Sequence, residues 1–255
     1  MEASRPLALL SNDDGIASPG LHTLRDALRE RFDVVVLAPE TEQSAASHAL
    51  SLHRPLRLRQ LEAGSWALDG TPADCVYVAL HAGTRVLGRR PDVVVSGINR
   101  GLNLGQDVFY SGTVAAAREG ALRGIPALAV SAHLHADLPA IGKLATRLAG
   151  ELLARKGEGD GVLLNLNVPK RWNGDVRHTK IGSRIYEESV DFRTDPRGRE
   201  YLWLGGPGVR HERNPGSDTD AYDDGVASIT PLVLDLTQPK DDGLTAAIVK
   251  KLLEA

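Results

Sequence analysis

The chain reads as an α/β protein built on a mainly parallel sheet with helices on both faces. Three observations predict this. Short apolar runs such as Leu7-Ala8-Leu9-Leu10, Val34-Val35-Val36-Leu37 and Val93-Val94-Val95 are bounded by turn residues, as buried strands are. Stretches with helical apolar spacing separate them, and that alternation implies parallel strands covered on both sides. From Pro169 onward the alternation gives way to Gly, Arg and charged residues with short strand signals such as Tyr201-Leu202-Trp203-Leu204. This later part reads as an extended β-hairpin arm that could lie over a site or embrace another subunit. The expected division is an α/β core over 1–170, the arm over 171–216, and a return to the core with a closing helix over 217–255.

In order, Leu7–Leu10 is the first strand. Ser18-Pro19-Gly20 then opens a helix carrying Leu21, Leu24 and Leu28, with Ser as N-cap and Pro in the first turn. Val34–Leu37 is the second strand, and residues 40–53 form a polar loop at the sheet mouth. Leu56–Arg59 and Trp66–Leu68 alternate like a small hairpin. Asp69-Gly70-Thr71-Pro72 starts a helix that runs to Ala82. Asp92–Ser96 is the third buried strand, and Thr113–Gly124 a helix. Ile125–Ser131 and Val162–Asn167 are further strands on either side of a helix over Ile141–Arg155. Ala227–Leu232 is a late strand and Leu244–Leu253 a last helix.

The bulk properties narrow the functional classes. At 255 residues, 42% hydrophobic and 25% charged, the chain can bury one large α/β core. Its formal net charge is −3, with scattered arginines, so nucleic-acid binding through a basic footprint is unsupported. The single cysteine, Cys75, lies in an apolar run; it excludes an intramolecular disulfide and reads as a buried packing residue. The N-terminus lacks a signal-peptide core, and no apolar run approaches the ~20 residues of a membrane helix. The expected location is the cytoplasm, without membrane partners.

The most informative segment is Ser11-Asn12-Asp13-Asp14-Gly15, directly after the first strand. Ligands of open α/β sheets collect beyond the carboxyl ends of strands. Two adjacent carboxylates there repel each other, a bound cation relieves that repulsion, and carboxylate oxygens are the hard ligands that Mg²⁺ or Mn²⁺ prefer. Asp-Asp-Gly is also a good turn, and Asp readily caps a helix. Both side chains can serve one ion only if the backbone turns between them.

A second constellation spans Ser96 to Thr113, after another apolar strand. Its glycines permit close backbone approach, and Asn99 and Asn103 offer neutral oxygens or amide donors. Ser111-Gly112-Thr113 opens a helix whose N-terminus suits a phosphate, although Ser111 would serve equally as a plain N-cap. Other polar residues carry less. His48 and His53 could be bases but read as ordinary histidines, and His133 with His135 lacks a third ligand. Asp218-Thr219-Asp220 and Asp223-Asp224-Gly225 lack the spacing of a calcium loop and read as a cap and a solvated turn. No Gly-x-Gly-x-x-Gly follows the first strand, and neither a P-loop nor a Gly-x-Ser-x-Gly elbow occurs. Dinucleotide dehydrogenases, P-loop NTPases and ordinary α/β serine hydrolases are therefore disfavoured.

Taken together, Ser11-Asn12-Asp13-Asp14-Gly15, the Val95–Gly120 stretch (VSGIN-x-GLN-x-G-x-D-x-x-YSGTV-AA-x-EG) and Ser228-Ile229-Thr230-Pro231-Leu232 resemble the SurE family, the survival-protein-E nucleotidases. The similarity runs from Leu7 to about Leu232. It implies a Rossmann-like three-layer α/β/α core, with a β-hairpin arm exchanged between the subunits of a homodimer or tetramer. It also implies a divalent-metal-dependent phosphatase acting on nucleoside 5′- and 3′-monophosphates, with short polyphosphate as a further substrate. Carried over residue by residue, the ligands of one Mg²⁺ or Mn²⁺ per subunit fall on Asp13, Asp14, Ser44 and Asn99. Asn12, Gly15, Asn103, Ser111, Gly112 and Thr113 match the phosphate pocket. The ion polarises the phosphoryl group and acidifies a water. Asp13 or Asp14 would accept that water's proton or attack phosphorus directly, and N–H groups at Ser111 to Thr113 would stabilise the phosphoryl oxygens.

The chain departs from the family in two places. Ser44-Ala45-Ala46-Ser47 stands where the family has Ser-Gly-x-Ser, which stiffens the loop, and no arginine precedes Ser44. Residues 186–213 match only loosely. Two alternatives remain. A haloacid-dehalogenase-like phosphatase would need Asp-x-Asp after the first strand, which Asp13-Asp14 does not provide. A catalytically silent nucleotide-binding regulator would keep the same scaffold and bind nucleotide without turnover.

Overall fold

The computed structural model describes residues 5–155, 162–187, 190–205, 208–237 and 243–253. The chain alternates from β1 (Leu7–Ser11) through α1 (Pro19–Leu28) to β2 (Asp33–Pro39). The hairpin strands β3 (Leu58–Glu62) and β4 (Ser65–Leu68) follow, then α2 (Pro72–His81), β5 (Val93–Arg100) and α3 (Gly112–Ala121). Next come β6 (Ala127–Ala132), α4 (Leu138–Ala154) and β7 (Leu163–Val168). Local chemistry explains the starts. Thr71 and Asp74 form a reciprocal capping box at α2, behind Pro72, which satisfies two donors that a helix N-terminus leaves unpaired. Asp137 caps α4 through the Ala140 N–H. Ser18 holds the N-cap position of α1, but its side chain makes no cap hydrogen bond, and its buried hydroxyl has no partner among the described residues.

The main sheet has nine strands in the order β3-β4-β2-β1-β5-β6-β7-β13-β8, where β8 is Val176–His178 and β13 Ala227–Leu232. The central pairings β2–β1, β1–β5, β5–β6 and β6–β7 are all parallel. The β3–β4 and β7–β13 pairings are antiparallel. Period-two alternation divides the core into two layers. Ala8 and Leu10 of β1 pack with α1 and α4 on one face. Leu7 and Leu9 pack with α2 and α3 on the other. All five β1 residues are buried, as expected of a strand covered on both sides. Cys75 is free and buried in the α2–α3 layer.

The arm is a pair of nested hairpins. β9 (Ser183–Tyr186) pairs antiparallel with β12 (Val209–Glu212), and β10 (Val190–Thr194) with β11 (Glu200–Leu204). Every residue of β10 and β11 is exposed. The short helix α5 (Asp218–Asp223) returns the chain to the sheet, and α6 (Leu244–Leu253) closes it. Among the described residues, no helix is long and apolar enough to cross a membrane.

Candidate active site

A cavity of about 330 Å³ opens beyond the carboxyl ends of β1 and β5. Asp13, Asp14, Ser44, Asn99, Asn103 and Ser111 all line it. The turn that two facing carboxylates require is present. β1 stops at Ser11, and Gly15 sits at φ 93°, a conformation that disfavours any side chain.

Asp13 is buried, and its environment is built around it. The Thr113 hydroxyl donates to Oδ1 at 2.5 Å, and the Thr113 backbone N–H beside it also favours the charged carboxylate. A Cβ on Gly112 would lie 2.8 Å from the Asp13 Cβ, so only glycine lets α3 come this close. Burial, the largest influence, still pushes the Asp13 carboxyl up to about 6; the Asp14 charge adds to this and the Thr113 hydroxyl opposes it. Asp14 is also raised, first by burial and then by Glu42, and its Oδ2 accepts the Arg100 backbone N–H at 3.0 Å.

Four acidic residues, Asp13, Asp14, Glu42 and Asp107, thus line one cavity with Arg100 as the cation beside them. Raised carboxylates in a low-dielectric cleft are what a divalent ion would relieve. Among the described residues, no three His, Cys, Asp or Glu side chains converge as metal ligands. The donors present are two carboxylates with a serine hydroxyl and an asparagine amide. That hard-oxygen set fits Mg²⁺ or Mn²⁺ and not a soft metal. Asn99 stands at the end of β5, where the register with β6 shifts after Ser96, and its Nδ2 donates to the Gly101 carbonyl at 3.0 Å. The Ser44 hydroxyl donates to Glu42 Oε1 at 2.6 Å.

The remaining expected residues stand behind the wall. Asn12 is fully buried, and its Nδ2 donates to the Gly15 carbonyl at 2.9 Å. Its Oδ1 is buried and has no hydrogen-bond partner among the described residues. Gly15, Gly112 and Thr113 do not line the cavity either. The start of α3 also differs from expectation. Ser111 N–H donates to the Asp107 carbonyl at 3.0 Å, and the Ser111 hydroxyl caps α3 by accepting from Val114 N–H. With the Thr113 hydroxyl on Asp13, the helix start chiefly holds the Asp13 carboxylate, where its dipole favours negative charge. Asn103 lines the cavity, yet its Nδ2 donates to Ser131 Oγ and its carbonyl accepts from Asn165 and Asn167.

The 40–53 loop is fastened along its length. Gln43 N–H donates to the Asp13 carbonyl and Ser47 N–H to the Tyr110 carbonyl. Buried Glu119 holds His48 Nε2 at 2.9 Å, and Asp74 accepts Ser51 N–H at 2.9 Å. Ala45 and Ser47 both adopt positive φ, at 57° and 51°. Ala45 is therefore left-handed where the family resemblance leads one to expect glycine, and the surrounding bonds impose the strain.

Sequence reasoning missed Glu42, Arg100, Asp107, Tyr110 and Tyr186, all of which line the cavity. Tyr186 comes from β9, and its hydroxyl donates to both carboxylate oxygens of Asp107, at 2.6 and 2.7 Å. Burial and that carboxylate push the Tyr186 phenol up to about 12. Arg184 pairs with the same Asp107. The available signal was that Arg100, Asp107 and Tyr110 lie within the 96–113 stretch itself.

The family model described as Survival protein SurE matches residues 8–188. A protein of Sorangium cellulosum named 5′-nucleotidase SurE is 58% identical over 97% of both chains. One of the same name from Geotalea uraniireducens is 47% identical over 90% of this chain and 93% of its own. The crystal structure of the SurE protein from Aquifex aeolicus superposes with a TM-score of 0.79 at 36% identity, covering 98% of this chain and all of that one. On its sequence, its motifs and its α/β fold, this chain belongs to the SurE family.

Proposed function

We propose that the chain is a divalent-metal-dependent nucleotidase that hydrolyses nucleoside 5′- and 3′-monophosphates to nucleoside and phosphate. The observation that carries this reading is the pair Asp13–Asp14, raised by burial, facing one cavity with Ser44 and Asn99. The names of the relatives support the substrate class. Asp13, Asp14, Ser44 and Asn99 would hold one Mg²⁺ or Mn²⁺ ion, which would supply Lewis acidity toward the phosphoryl group and a water of lowered pKa. Thr113 and the start of α3 keep Asp13 oriented and charged toward the cavity. Arg100 adds positive charge for an incoming phosphate. Asp14, half-buried and fixed by Arg100 N–H, is placed to accept a proton from attacking water. Short polyphosphate is a further substrate on the same chemistry.

The protein works in the cytoplasm as a homodimer or tetramer. Val190 and Phe192 share one face of the outer hairpin with Leu202 and Leu204, their cross-strand partners. All four are exposed, and a second copy of the chain would cover them. Light scattering is expected to give at least a dimer.

The decisive assay is phosphate release from a panel of 5′- and 3′-mononucleotides and short polyphosphate, with Mn²⁺, with Mg²⁺ and with EDTA. Release that EDTA abolishes is expected. Nucleotide binding without release under any condition would favour the silent regulator instead.

A further inference from the structure

Two aromatic side chains stand in a cavity otherwise lined mostly by charged and polar residues, and the phosphoryl chemistry uses neither. Tyr110 is 66% exposed and Tyr186 is 42% exposed, yet both line the cavity that holds Asp13 and Asp14. They arrive from distant parts of the chain. Tyr110 lies between the 3₁₀ turn Gly105–Phe109 and α3, and Tyr186 ends β9 of the arm. A single residue fixes both: the Asp107 carbonyl accepts Tyr110 N–H at 3.0 Å, and the Asp107 carboxylate takes the Tyr186 hydroxyl. The Tyr110 carbonyl is engaged as well, by Ser47 N–H. The Arg184 guanidinium sits 5.4 Å from the Tyr186 ring centre, over one face.

Large apolar rings presented to water at a polar site call for a flat apolar ligand group. Resting on the nucleotidase reading above, we infer that Tyr110 and Tyr186 form a stacking platform for the nucleobase, with Asp107 as the residue that positions both. The Tyr186 hydroxyl is committed to Asp107, so the platform offers ring faces and not a pattern of donors and acceptors. Every base has a π-face, and stacking tolerates base identity. The platform therefore selects nucleotides over base-free sugar phosphates while discriminating weakly among bases. Purines, with the larger ring, bind best.

The test compares a purine nucleoside 5′-monophosphate with ribose 5-phosphate, using the full chain with excess Mn²⁺. The ratio of the two kcat/KM values is measured for the wild type and for Tyr110→Leu, Tyr110→Phe, Tyr186→Leu and Tyr186→Phe. Each leucine variant is expected to lower the ratio about tenfold through KM, and Tyr110→Phe to hold it within about twofold. A ratio unmoved by leucine, or lowered as much by Tyr110→Phe as by Tyr110→Leu, would overturn the inference. If the wild type hydrolyses neither substrate, the nucleotidase reading fails by itself. Calorimetric binding of the nucleotide to the same variants then decides the platform: weaker binding in the leucine variants upholds it, and equal or absent binding overturns it.

Discussion

The Asp13–Asp14 wall and the Tyr186 arm face one cavity but are built on opposite plans. The first hangs on β1, buried at every residue and pinned between parallel neighbours. The second hangs on β9, which is half-buried to exposed and paired along one hairpin. The difference teaches where each task sits. Chemistry that needs desolvated, fixed carboxylates rests on the rigid core, where burial itself raises their proton affinity. The other side of the cavity is built by a peripheral element, joined to the core through Asp107 and Asp218, and on the proposed reading it would meet the remainder of the substrate.

Four substitutions separate the two plans. Asp14→Asn strikes the core wall and is expected to cut phosphate release by more than about a hundredfold, since even outer-shell partners of a metal cost 10–100-fold. Circular dichroism of the variant should match the wild type; near-normal turnover would remove Asp14 from the mechanism. Asp218→Ala strikes the junction. Its carboxylate is fully buried and accepts the N–H groups of Gly105 and Gly182. Leaving both unpaired costs about 2–3 kcal/mol in urea unfolding, whereas a loss within error would show the arm to be held elsewhere.

Asp13→Asn tests the energetic consequence of the buried wall. Between the ordinary carboxylate value and about 6, the folded metal-free protein holds a proton that the unfolded chain has lost. Stability of the metal-free protein therefore falls as pH rises through that window and stays reduced above it. Relative to wild type, the variant should gain about 2 kcal/mol between pH 4 and pH 7.5, seen as diverging urea midpoints; parallel pH profiles would contradict the burial argument. Ala45→Gly is the smallest change. It relieves a left-handed alanine at φ 57° but adds freedom to the unfolded chain, so the net gain is about 0.5 kcal/mol. A loss of stability would mean that the Ala45 methyl contributes packing that outweighs its strain.

The core wall was largely legible in the sequence because its information is local. Apolar runs mark β1 and β5, the Asp-Asp-Gly turn follows directly, and Thr71-Pro72 announces α2. The other wall was not, because it is made by pairing across long separations. Tyr186 meets Asp107 from 79 residues away, Asp218 meets Gly105 from 113, and His48 meets Glu119 from 71. No spacing rule reaches that far. Asp218 read as part of a plain helix cap because its sequence context fits one, while burial turned it into a clasp. Ala45 was hidden for another reason: alanine disfavours positive φ, and only the bonds around the loop force it there. The start of α3 was visible as an N-terminus, but its occupant, Asp13, comes from the turn after β1.

The most direct measurement titrates Mn²⁺ into the metal-free protein, followed by electron paramagnetic resonance, for the wild type and Asp14→Asn. A divalent-ion site at Asp13 and Asp14 predicts one saturable ion per chain in the wild type and its loss in the variant. No saturable binding in the wild type, or equal binding in both proteins, would contradict it.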